Sequence, residues 1–427
     1  MPAQSWISIS RTATIQLCLA AILLLAFALR VAVYLQDSKP FSFSGLVAVQ
    51  AEMARNIVDH GKWFVVNQKA ASFLNNQENA RHHLIDPEEF DFSRFDRHGS
   101  FEPQVHQMPG VSVILAGFWW ATGHHSYAAI QWLQLLLDAG MVLLIYWIAR
   151  KLRAAPWAAL LASLLYAVWP GAILVAKRPT LDTWAGFFVI VSVAIFLYAR
   201  ERVTKLWPLV VLGLVTGFGI YFRPFILFLP ILLALVATPS GGWRRRFTWM
   251  AVPTIVALVI LTPWTVRNYY EFHAFIPTRT GLGEAALEGL GKVKNDTGVR
   301  NYVQRNKPGL NAHSPQADSF LLKTLWHAIV ADPVRYFETV GRRARVLLPS
   351  LLAILLWRRR RTEALILVAT AVAVILPFLP IGGDVRFFLP AAFAYFILGA
   401  IALETLVLRR RRAPSVAGSE APGAAVP

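Results

Sequence analysis

Long apolar runs separated by short polar breaks make up most of this 427-residue chain. Most of the runs are long enough, or nearly so, to cross the hydrocarbon core of a bilayer as helices. They lie at about 13–35, 128–149, 155–176, 181–199, 206–222, 224–238, 248–267, 345–357, 362–380 and 387–408. The pattern therefore predicts an all-α polytopic membrane protein with about ten transmembrane helices, or eleven if the shorter run at 109–122 also crosses.

The run PGVSVILAGFWWAT at 109–122 is about 14 residues long, which favours an interfacial or re-entrant helix over a span. The basic clusters test this interpretation because Lys and Arg collect in cytoplasmic loops. With a cytoplasmic N-terminus and no span at 109–122, cytoplasmic loops receive the clusters at 150–153, 200–205, 243–247, 358–361 and 409–412. We therefore predict cytoplasmic N- and C-termini and two long outer segments, 36–127 and 268–344.

Residues 43–64, FSGLVAVQAEMARNIVDHGKWF, follow the first apolar run. Leu46, Val49, Met53 and Ile57 recur in it at helical spacing, and the polar residues fall mostly elsewhere. This predicts a helix lying on the outer membrane surface, for which a plain surface strut is the simplest role.

Composition supports the membrane class, with 56% hydrophobic residues and a mean hydropathy of +0.49. The net charge of +18 could indicate nucleic acid, but the basic residues sit in short clusters between apolar runs. We therefore predict a bilayer as partner and no nucleic acid. A single cysteine, Cys18, excludes an intrachain disulfide and a thiolate metal site. Residues 413–427 are small and rich in Pro and Gly, which predicts a disordered cytoplasmic tail after a module at 1–412.

Several motifs occur in a recognisable order along residues 20–408. They are FALRVAVYL, ARNIVDHGKWF, HQMPGVSVILAGFWWATG, PTLDTWAGFF, YFRPF, PWTVRNYYEFHAFIPTRTGLG, ADPVRYFETVGRR and DVRFFLP. Their order resembles the GT-C superfamily of polyprenyl-phosphate-dependent glycosyltransferases. The resemblance is to the protein-mannosyltransferase and aminoarabinose-transferase branch, glycosyltransferase family 39 and its relatives.

The resemblance implies a GT-C type helix bundle with an outer interfacial helix and two long outer loops. It also implies an enzyme that transfers a sugar from a polyprenyl-phosphate donor. The acceptor would be a lipid or a surface glycan such as lipopolysaccharide, on the outer face of the cytoplasmic membrane. Catalysis would need a carboxylate to orient or deprotonate the acceptor and cations to stabilise the departing phosphate.

The family's main acidic residue lies early in the interfacial helix, where this chain has Leu46 when aligned on its Gly-Lys-Trp sequence at 61–63. Asp37 and Glu52 are the nearby carboxylates, although a solvated surface group explains both better. Asp182 is a stronger candidate because PTLDTWAGFF resembles a family motif in which an aspartate opens a helix. Helix capping and dipole stabilisation explain Asp182 equally well.

The resemblance implies a phosphate-binding role for cations at the outer helix ends. Lys177 and Arg178 lie just outside a predicted span, and Arg267 and Arg386 lie in family-like motifs. Arginine suits phosphate oxygens, but snorkelling to lipid headgroups explains any one of these residues alone. His106 stands where the branch often has a lysine or other polar group near the donor; a structural role is commoner for a lone outer histidine.

Asp138 lies inside the second predicted helix, where an isolated charge would cost about 2.5–3.5 kcal/mol at the bilayer centre. We expect it to be neutral, paired or facing a cavity. The acidic stretch 86–103 matches no known ligand pattern, so a solvated loop is the better interpretation. The sequence thus identifies no cofactor and is compatible with a divalent cation.

Two further hypotheses belong to other classes of protein. A transporter or flippase for lipid-linked sugars would favour midplane ionisable groups and inverted repeats, of which the chain offers only Asp138. A catalytically silent GT-C scaffold would explain why Leu46 replaces the family's acid.

Overall fold

A computed structural model of the protein describes residues 3–36, 45–79, 91–177, 180–239, 241–293, 295–382 and 385–412. The predicted tail at 413–427 and the candidate residues Asp37 and Arg178 lie outside these ranges, as does the side chain of Leu46. Within them the regular structure is helical apart from one two-stranded sheet. The predicted all-α class is therefore confirmed, with a small sheet that the sequence pattern did not indicate.

The helices are numbered in chain order. They are α1 (Ala3–Gln36), α2 (Gly45–His60), α3 (Gln68–Asn79), α4 (Ser93–His98), α5 (Gly110–Thr122), α6 (Tyr127–Lys151), α7 (Pro156–Ala167), α8 (Pro170–Ala176), α9 (Leu181–Glu201), α10 (Trp207–Ile220), α11 (Phe228–Ala237), α12 (Gly242–Phe272), α13 (Leu282–Gly289), α14 (Asn295–Asn306), α15 (Pro315–Ala331), α16 (Pro333–Ala344), α17 (Ala353–Leu356), α18 (Arg361–Ile375) and α19 (Leu389–Arg412). Short 3₁₀ segments lie at Pro224–Leu227, Arg345–Leu352, Leu376–Phe378 and Val385–Phe388.

Six helices in the described ranges, α1, α6, α9, α12, α18 and α19, are long and apolar enough to cross a membrane. A seventh candidate is the pair α7 and α8, which is bent by 50° at the break between them. The longest of the six after α1 is α12, whose 31 residues extend about 46 Å at 1.5 Å per residue. The chain is an integral membrane protein.

The remaining predicted spans have irregular or short helices. Helix α10 has 14 residues, or about 21 Å, against a hydrocarbon core of about 30 Å. The run at 345–357 forms a 3₁₀ segment followed by the four-residue α17. Pro349 lies inside that segment and lacks the amide hydrogen that a regular helix uses. The count of ten spans stays a prediction.

A short antiparallel sheet organises the first outer segment. Strand β1 (Val65–Asn67) pairs with β2 (Phe101–Pro103), with Val65 opposite Pro103 and Asn67 opposite Phe101. Each strand has three residues, too few for alternation to be visible in the sequence. The pairing brings the end of α2 next to the segment that leads into α5.

Helix α2 lies within the predicted interfacial helix and packs on α5. Its buried face includes the small residues Ala48, Ala51 and Ala54, and they share a cluster with Trp119 and with Trp184. This outer cluster is separate from the main core, which α6, α7, α9, α18 and α19 form. The first turn of α9 therefore lies where the outer cluster meets the bundle.

A buried ion pair joins α1 to α6. Arg30 pairs with Asp138, and the Tyr166 hydroxyl donates a hydrogen bond of 2.7 Å to the same carboxylate. Arg30 also donates to the carbonyls of Ala26 and Ala167, each at 3.0 Å. The expectation that Asp138 is paired is confirmed, because its charge would otherwise be exposed to an apolar core.

Candidate active site

Asp182 lies in the first turn of α9, is 1% exposed and pairs with Arg223. Thr180 occupies the N-cap position, and no side chain caps this end of the helix. Asp182 is therefore not the N-cap residue, although the helix dipole still favours its charge. Its second oxygen, Oδ2, makes no hydrogen bond to any described residue. The structure thus presents a buried carboxylate whose Oδ1 is paired with arginine and whose Oδ2 has no hydrogen bond to a described residue.

The Asp182–Arg223 pair is held beside an aromatic stack. Trp184 and Phe222, each a near neighbour of one member of the pair, stack with ring centroids 5.6 Å apart at 18°. Offset stacking of this kind adds about 0.5–1.5 kcal/mol beyond area burial. The stack ties the start of α9 to the end of α10, so the pair is positioned by packing as well as by charge.

Arg386 is brought close to Arg223 by an aromatic ring. The guanidinium carbon of Arg223 lies 5.2 Å from the ring centroid of Phe387, and that of Arg386 lies 5.3 Å from the same centroid. Phe387 is itself stacked on Phe378 at 4.6 Å and 6°. A cation over an aromatic face is stabilised without losing its charge. The predicted phosphate-binding role of Arg386 is therefore compatible with its position.

Arg279 is a further cation at this site. Its Nη1 donates to Oε1 of the buried Gln107 at 3.4 Å. Burial, and then the positive charge of Arg223, lowers the pKa of Arg279 to about 10, while Glu284 and Asp318 act in the opposite direction. An anion bound near Arg279 would offset the effect of Arg223 on its charge.

Arg223 and Arg279 were not among the predicted site residues, although both lie in the motifs that carry the resemblance, YFRPF and HAFIPTRTGLG. No sequence pattern links the two residues, because 56 positions separate them and the effect of one charge on the other depends on the fold. Their place in those two motifs was the available signal.

Arg267, for which we predict phosphate binding, contacts backbone carbonyls in the structure. Its Nη1 donates to the carbonyl of Gln104 at 2.8 Å and its Nη2 to the carbonyl of Phe64 at 2.9 Å. It also lies over the rings of Trp264 and Phe272. These contacts join α12 to the segments flanking β1 and β2, so Arg267 supports the outer segment through backbone carbonyls.

Glu52 is fully buried, so the interpretation of this residue as a solvated surface carboxylate is wrong. Both of its oxygens accept hydrogen bonds from Arg55 at 2.9 Å, and Asn56 donates to Oε1 at 3.0 Å. Burial raises the pKa of Glu52, and the bonds from Arg55 and Asn56 partly offset this. Arg55 also binds both oxygens of Asp96, at 2.8 and 2.9 Å. The carboxylate is engaged in joining α2 to α4.

Lys177 and His106 complete the described candidates. Lys177 follows α8, and its carbonyl accepts a bond of 3.2 Å from Gln131. His106 is 9% exposed, and its Nε2 lies 3.4 Å from Oε2 of Glu284. Its ring is 4.5 Å from that of His313. His106 thus belongs to a second group of polar residues near Arg279.

Residues 106–266 match the family model described as dolichyl-phosphate-mannose-protein mannosyltransferase. Curated relatives include the undecaprenyl phosphate-alpha-4-amino-4-deoxy-L-arabinose arabinosyl transferases of Pseudomonas paraeruginosa, 30% identical, and of Pseudomonas aeruginosa, 29% identical. Each match covers 37% of this chain and 32% of the relative. The chain therefore spans about a third of the length of these relatives.

Solved structures of the oligosaccharyltransferase from Archaeoglobus fulgidus share the fold. The complex with an inhibitory peptide and a dolichol-phosphate matches with a TM-score of 0.52 at 16% identity, over 92% of this chain and 51% of that one. The complex with Zn and sulfate matches with a TM-score of 0.53 at 17% identity, over 92% and 49%. The matches confirm the resemblance to the GT-C superfamily of membrane glycosyltransferases, and residues 106–266 are similar to the mannosyltransferase family model.

Proposed function

We propose that the protein transfers a sugar from a polyprenyl-phosphate donor to a hydroxyl group of a lipid or surface-glycan acceptor. The observation that carries the proposal is the buried Asp182–Arg223 pair, because it joins a carboxylate whose Oδ2 makes no hydrogen bond to a described residue to a cation that suits phosphate. Arg279 supplies a second cation, whose pKa the charge of Arg223 lowers. The names of the matched family and relatives, which specify prenyl-phosphate sugars, support the same chemistry.

Each residue has a defined role in the proposed reaction. The acceptor oxygen attacks the anomeric carbon of the sugar, and the bond from that carbon to the phosphate oxygen breaks. Asp182 takes the acceptor proton on Oδ2, and the polyprenyl phosphate leaves with the bonding electrons. Arg223 orients Asp182 through Oδ1, and Arg279 and Arg386 stabilise the charge that develops on the phosphate.

The proposed site faces the outside of the cytoplasmic membrane. This orientation rests on the basic clusters, which would all be cytoplasmic if both termini are cytoplasmic. The donor chain would remain in the bilayer while its phosphate reaches the outer helix ends. A lipid or glycan acceptor fits the outer segments, which the structure builds from short helices.

A divalent cation is a compatible cofactor for this chemistry. The Archaeoglobus oligosaccharyltransferase was solved with Zn and sulfate, which shows that a protein of this fold can hold a metal and an oxyanion. The proposed roles of Asp182, Arg223 and Arg279 do not require a cation, so transfer is to be measured with and without a chelator.

The test is a transfer assay with purified protein in lipid nanodiscs. Radiolabelled undecaprenyl-phosphate sugars, including the aminoarabinose donor, are incubated with a lipid and glycan extract, and label in the acceptor is counted. Asp182→Asn should lower transfer by about 10²–10⁴-fold, as loss of a general base does. Asp332→Asn is the matched control, because Asp332 is an exposed carboxylate that caps α16 and Asn also caps helices.

Three results would contradict the proposal. Equal transfer by Asp182→Asn and the wild type would remove Asp182 from its role. Donor binding without transfer for every acceptor extract would indicate a scaffold. Uptake of labelled donor into proteoliposomes without covalent transfer would indicate a transporter.

A further inference from the structure

His106, Glu284 and His313 come together from three separate parts of the outer segments. His106 lies before α5, Glu284 lies in the first turn of α13, and His313 lies just before α15. The Oε2 atom of Glu284 is 3.4 Å from Nε2 of His106 and 4.0 Å from Nδ1 of His313. One ligand atom from each residue lies within 4.8 Å of the other two. We infer that these three residues form a binding site for a divalent transition metal, with Zn²⁺ as its preferred ion.

The donor set and the distances both fit zinc. Two imidazole nitrogens and one carboxylate oxygen are a common zinc-binding combination that leaves a fourth position open. With metal–ligand distances of about 2.0–2.1 Å and tetrahedral angles, the ligand atoms would be about 3.3 Å apart. The His106–Glu284 separation of 3.4 Å already matches, and the His313–Glu284 separation of 4.0 Å would need to shorten slightly. Magnesium and calcium prefer oxygen ligands, so the two imidazoles select against them.

The backbone around the three residues is arranged to let the ligands approach. Gly281 has a φ of +97°, and a Cβ at this position would lie 2.5 Å from Cε1 of His106. Only glycine therefore permits both this backbone conformation and the position of the imidazole. The amide of Thr280 donates to the carbonyl of Val105 at 3.2 Å, which joins the two segments directly beside the cluster.

Hydrogen bonds from the main chain fix the positions of the ligands. The amide of His106 donates to Oε1 of Gln104 at 2.6 Å, and the amide of His313 donates to Oδ1 of Asn311 at 3.0 Å. Asp318 accepts a bond of 2.9 Å from the amide of Gly283, the residue before Glu284. These bonds hold the backbone from which the three side chains extend.

A metal at this site would hold the two outer segments against each other. It would connect the residues before α5 to α13 and to the start of α15, and would fix His106 next to Gln107, the hydrogen-bond partner of Arg279. The site uses none of Asp182, Arg223 and Arg279. The inference therefore goes beyond the proposed function, and metal binding is measurable whether or not the protein transfers sugar.

The test measures metal content in the full-length protein after the purification tag has been removed. The protein in detergent is stripped with a chelator, dialysed against zinc chloride at micromolar concentration and then against buffer, and its metal is measured by mass spectrometry. We expect about one zinc per chain in the wild type and at least a tenfold weaker affinity in Glu284→Gln and His313→Ala. Glu288→Gln and His327→Ala are matched controls because both residues are exposed and lie outside the cluster, and they should keep the wild-type stoichiometry.

A spectroscopic measurement on the wild type keeps the inference testable if the variants fold poorly. Zinc X-ray absorption should show two imidazole ligands and oxygen, with metal–ligand distances of about 2.0–2.2 Å. The inference is overturned if the stripped wild type takes up no zinc, if Glu284→Gln and His313→Ala bind zinc as tightly as the wild type, or if the spectrum lacks imidazole.

Discussion

At the scale of single residues, Arg279 lies where burial and the charge of Arg223 disfavour its positive charge. It is partly buried, its pKa is lowered to about 10 by burial and by Arg223, and its hydrogen bond to Gln107 is long at 3.4 Å. An anion near both guanidiniums would remove the repulsion between them. A cation placed in this way is suited to a ligand rather than to the stability of the fold.

Replacement of Arg279 by Gln should therefore affect binding more than stability. We expect the KM for the prenyl-phosphate sugar to rise about tenfold to hundredfold, because a hydrogen bond to a charged group contributes about 1.5–3 kcal/mol. The thermal midpoint should stay unchanged or rise, since the unfavourable effect of the Arg223 charge on Arg279 is lost. Donor titrations in nanodiscs and thermal unfolding test both parts. A lower midpoint with an unchanged KM would show that Arg279 is structural.

Asp96 provides a pH-dependent prediction outside the membrane spans. Burial alone would raise its pKa, but the hydrogen bonds and charge of Arg55, together with His60, lower it overall. A carboxylate with a lowered pKa stabilises the fold above its unfolded value of about 3.9, and this stabilisation is lost as the pH falls through the folded value. Asp96 should therefore contribute fully at pH 7, and its contribution should decrease as the pH falls below its unfolded value of about 3.9.

The measurement compares Asp96→Asn with the wild type by thermal unfolding at pH 7 and at acidic pH. At pH 7 the variant should be less stable by about 1.5–3 kcal/mol, and the difference should shrink as the pH falls below about 4. Glu338→Gln, at an exposed position on α16, should change neither value. A difference that stays constant from pH 7 to pH 3 would rule out the charge of Asp96 as its cause.

At the scale of elements, the contact between α5 and the end of α10 positions the residues before α5. The amide of Gly110, the first residue of α5, donates to the carbonyl of Tyr221 at 2.9 Å. A Cβ on Gly110 would lie 2.6 Å from that carbonyl oxygen. The approach thus depends on glycine, and it holds the start of α5 against Tyr221, which directly precedes Phe222 and Arg223.

Gly110→Ala should push α5 away from α10 and lower both stability and transfer. Overpacking of this kind costs about 1–3 kcal/mol. Gly117→Ala is the matched control on the same helix, because a Cβ there has no described atom within 4 Å and alanine favours helix. Thermal unfolding and the transfer assay should separate the two variants. Equal behaviour would show that α5 tolerates displacement.

The same scale shows what the sequence pattern could and could not predict. Helical periodicity identified α2, and run length identified α6, α9 and α12, because a bilayer demands long apolar helices. Periodicity also suggested that the polar residues of α2 face outward, yet Glu52 is buried. The reason is that Arg55 and Asn56 on the same helix satisfy its oxygens, and a pairing of this kind is invisible to a hydrophobicity pattern.

At the scale of the whole molecule, the candidate site combines residues from separate motifs. The sequence identifies each residue separately and does not predict which of them come into contact. Its motif identifies Asp182, whereas the pairing of Asp182 with Arg223 depends on the packing of α9 against α10. Contacts between distant positions are set by packing of the bundle. A single sequence contains no direct signal for such contacts, so the motifs in which these residues lie are the only indication of their role.

The orientation of the molecule gives a prediction that needs no substrate. In a Cys18→Ser background, a cysteine introduced at Lys205 should be protected from a membrane-impermeant thiol reagent in intact cells, and one at Arg305 should react. The first position lies in a predicted cytoplasmic loop and the second in the predicted outer segment. Cell lysis should make Lys205→Cys reactive. Labelling of Lys205→Cys in intact cells would contradict the proposed topology and indicate the opposite orientation.

The length of α12 has a consequence for substrate geometry. At about 46 Å it exceeds a hydrocarbon core of about 30 Å by roughly 16 Å, so it projects beyond the bilayer at one or both ends. Arg267, near the C-terminal end of α12, donates hydrogen bonds to the carbonyls of Gln104 and Phe64. These bonds attach the first outer segment to the helix. The length of α12 therefore sets the distance between the bilayer and the outer segments. Lengthening or shortening the helix by one turn, about 5.4 Å, would change the height at which a membrane-embedded substrate meets those segments.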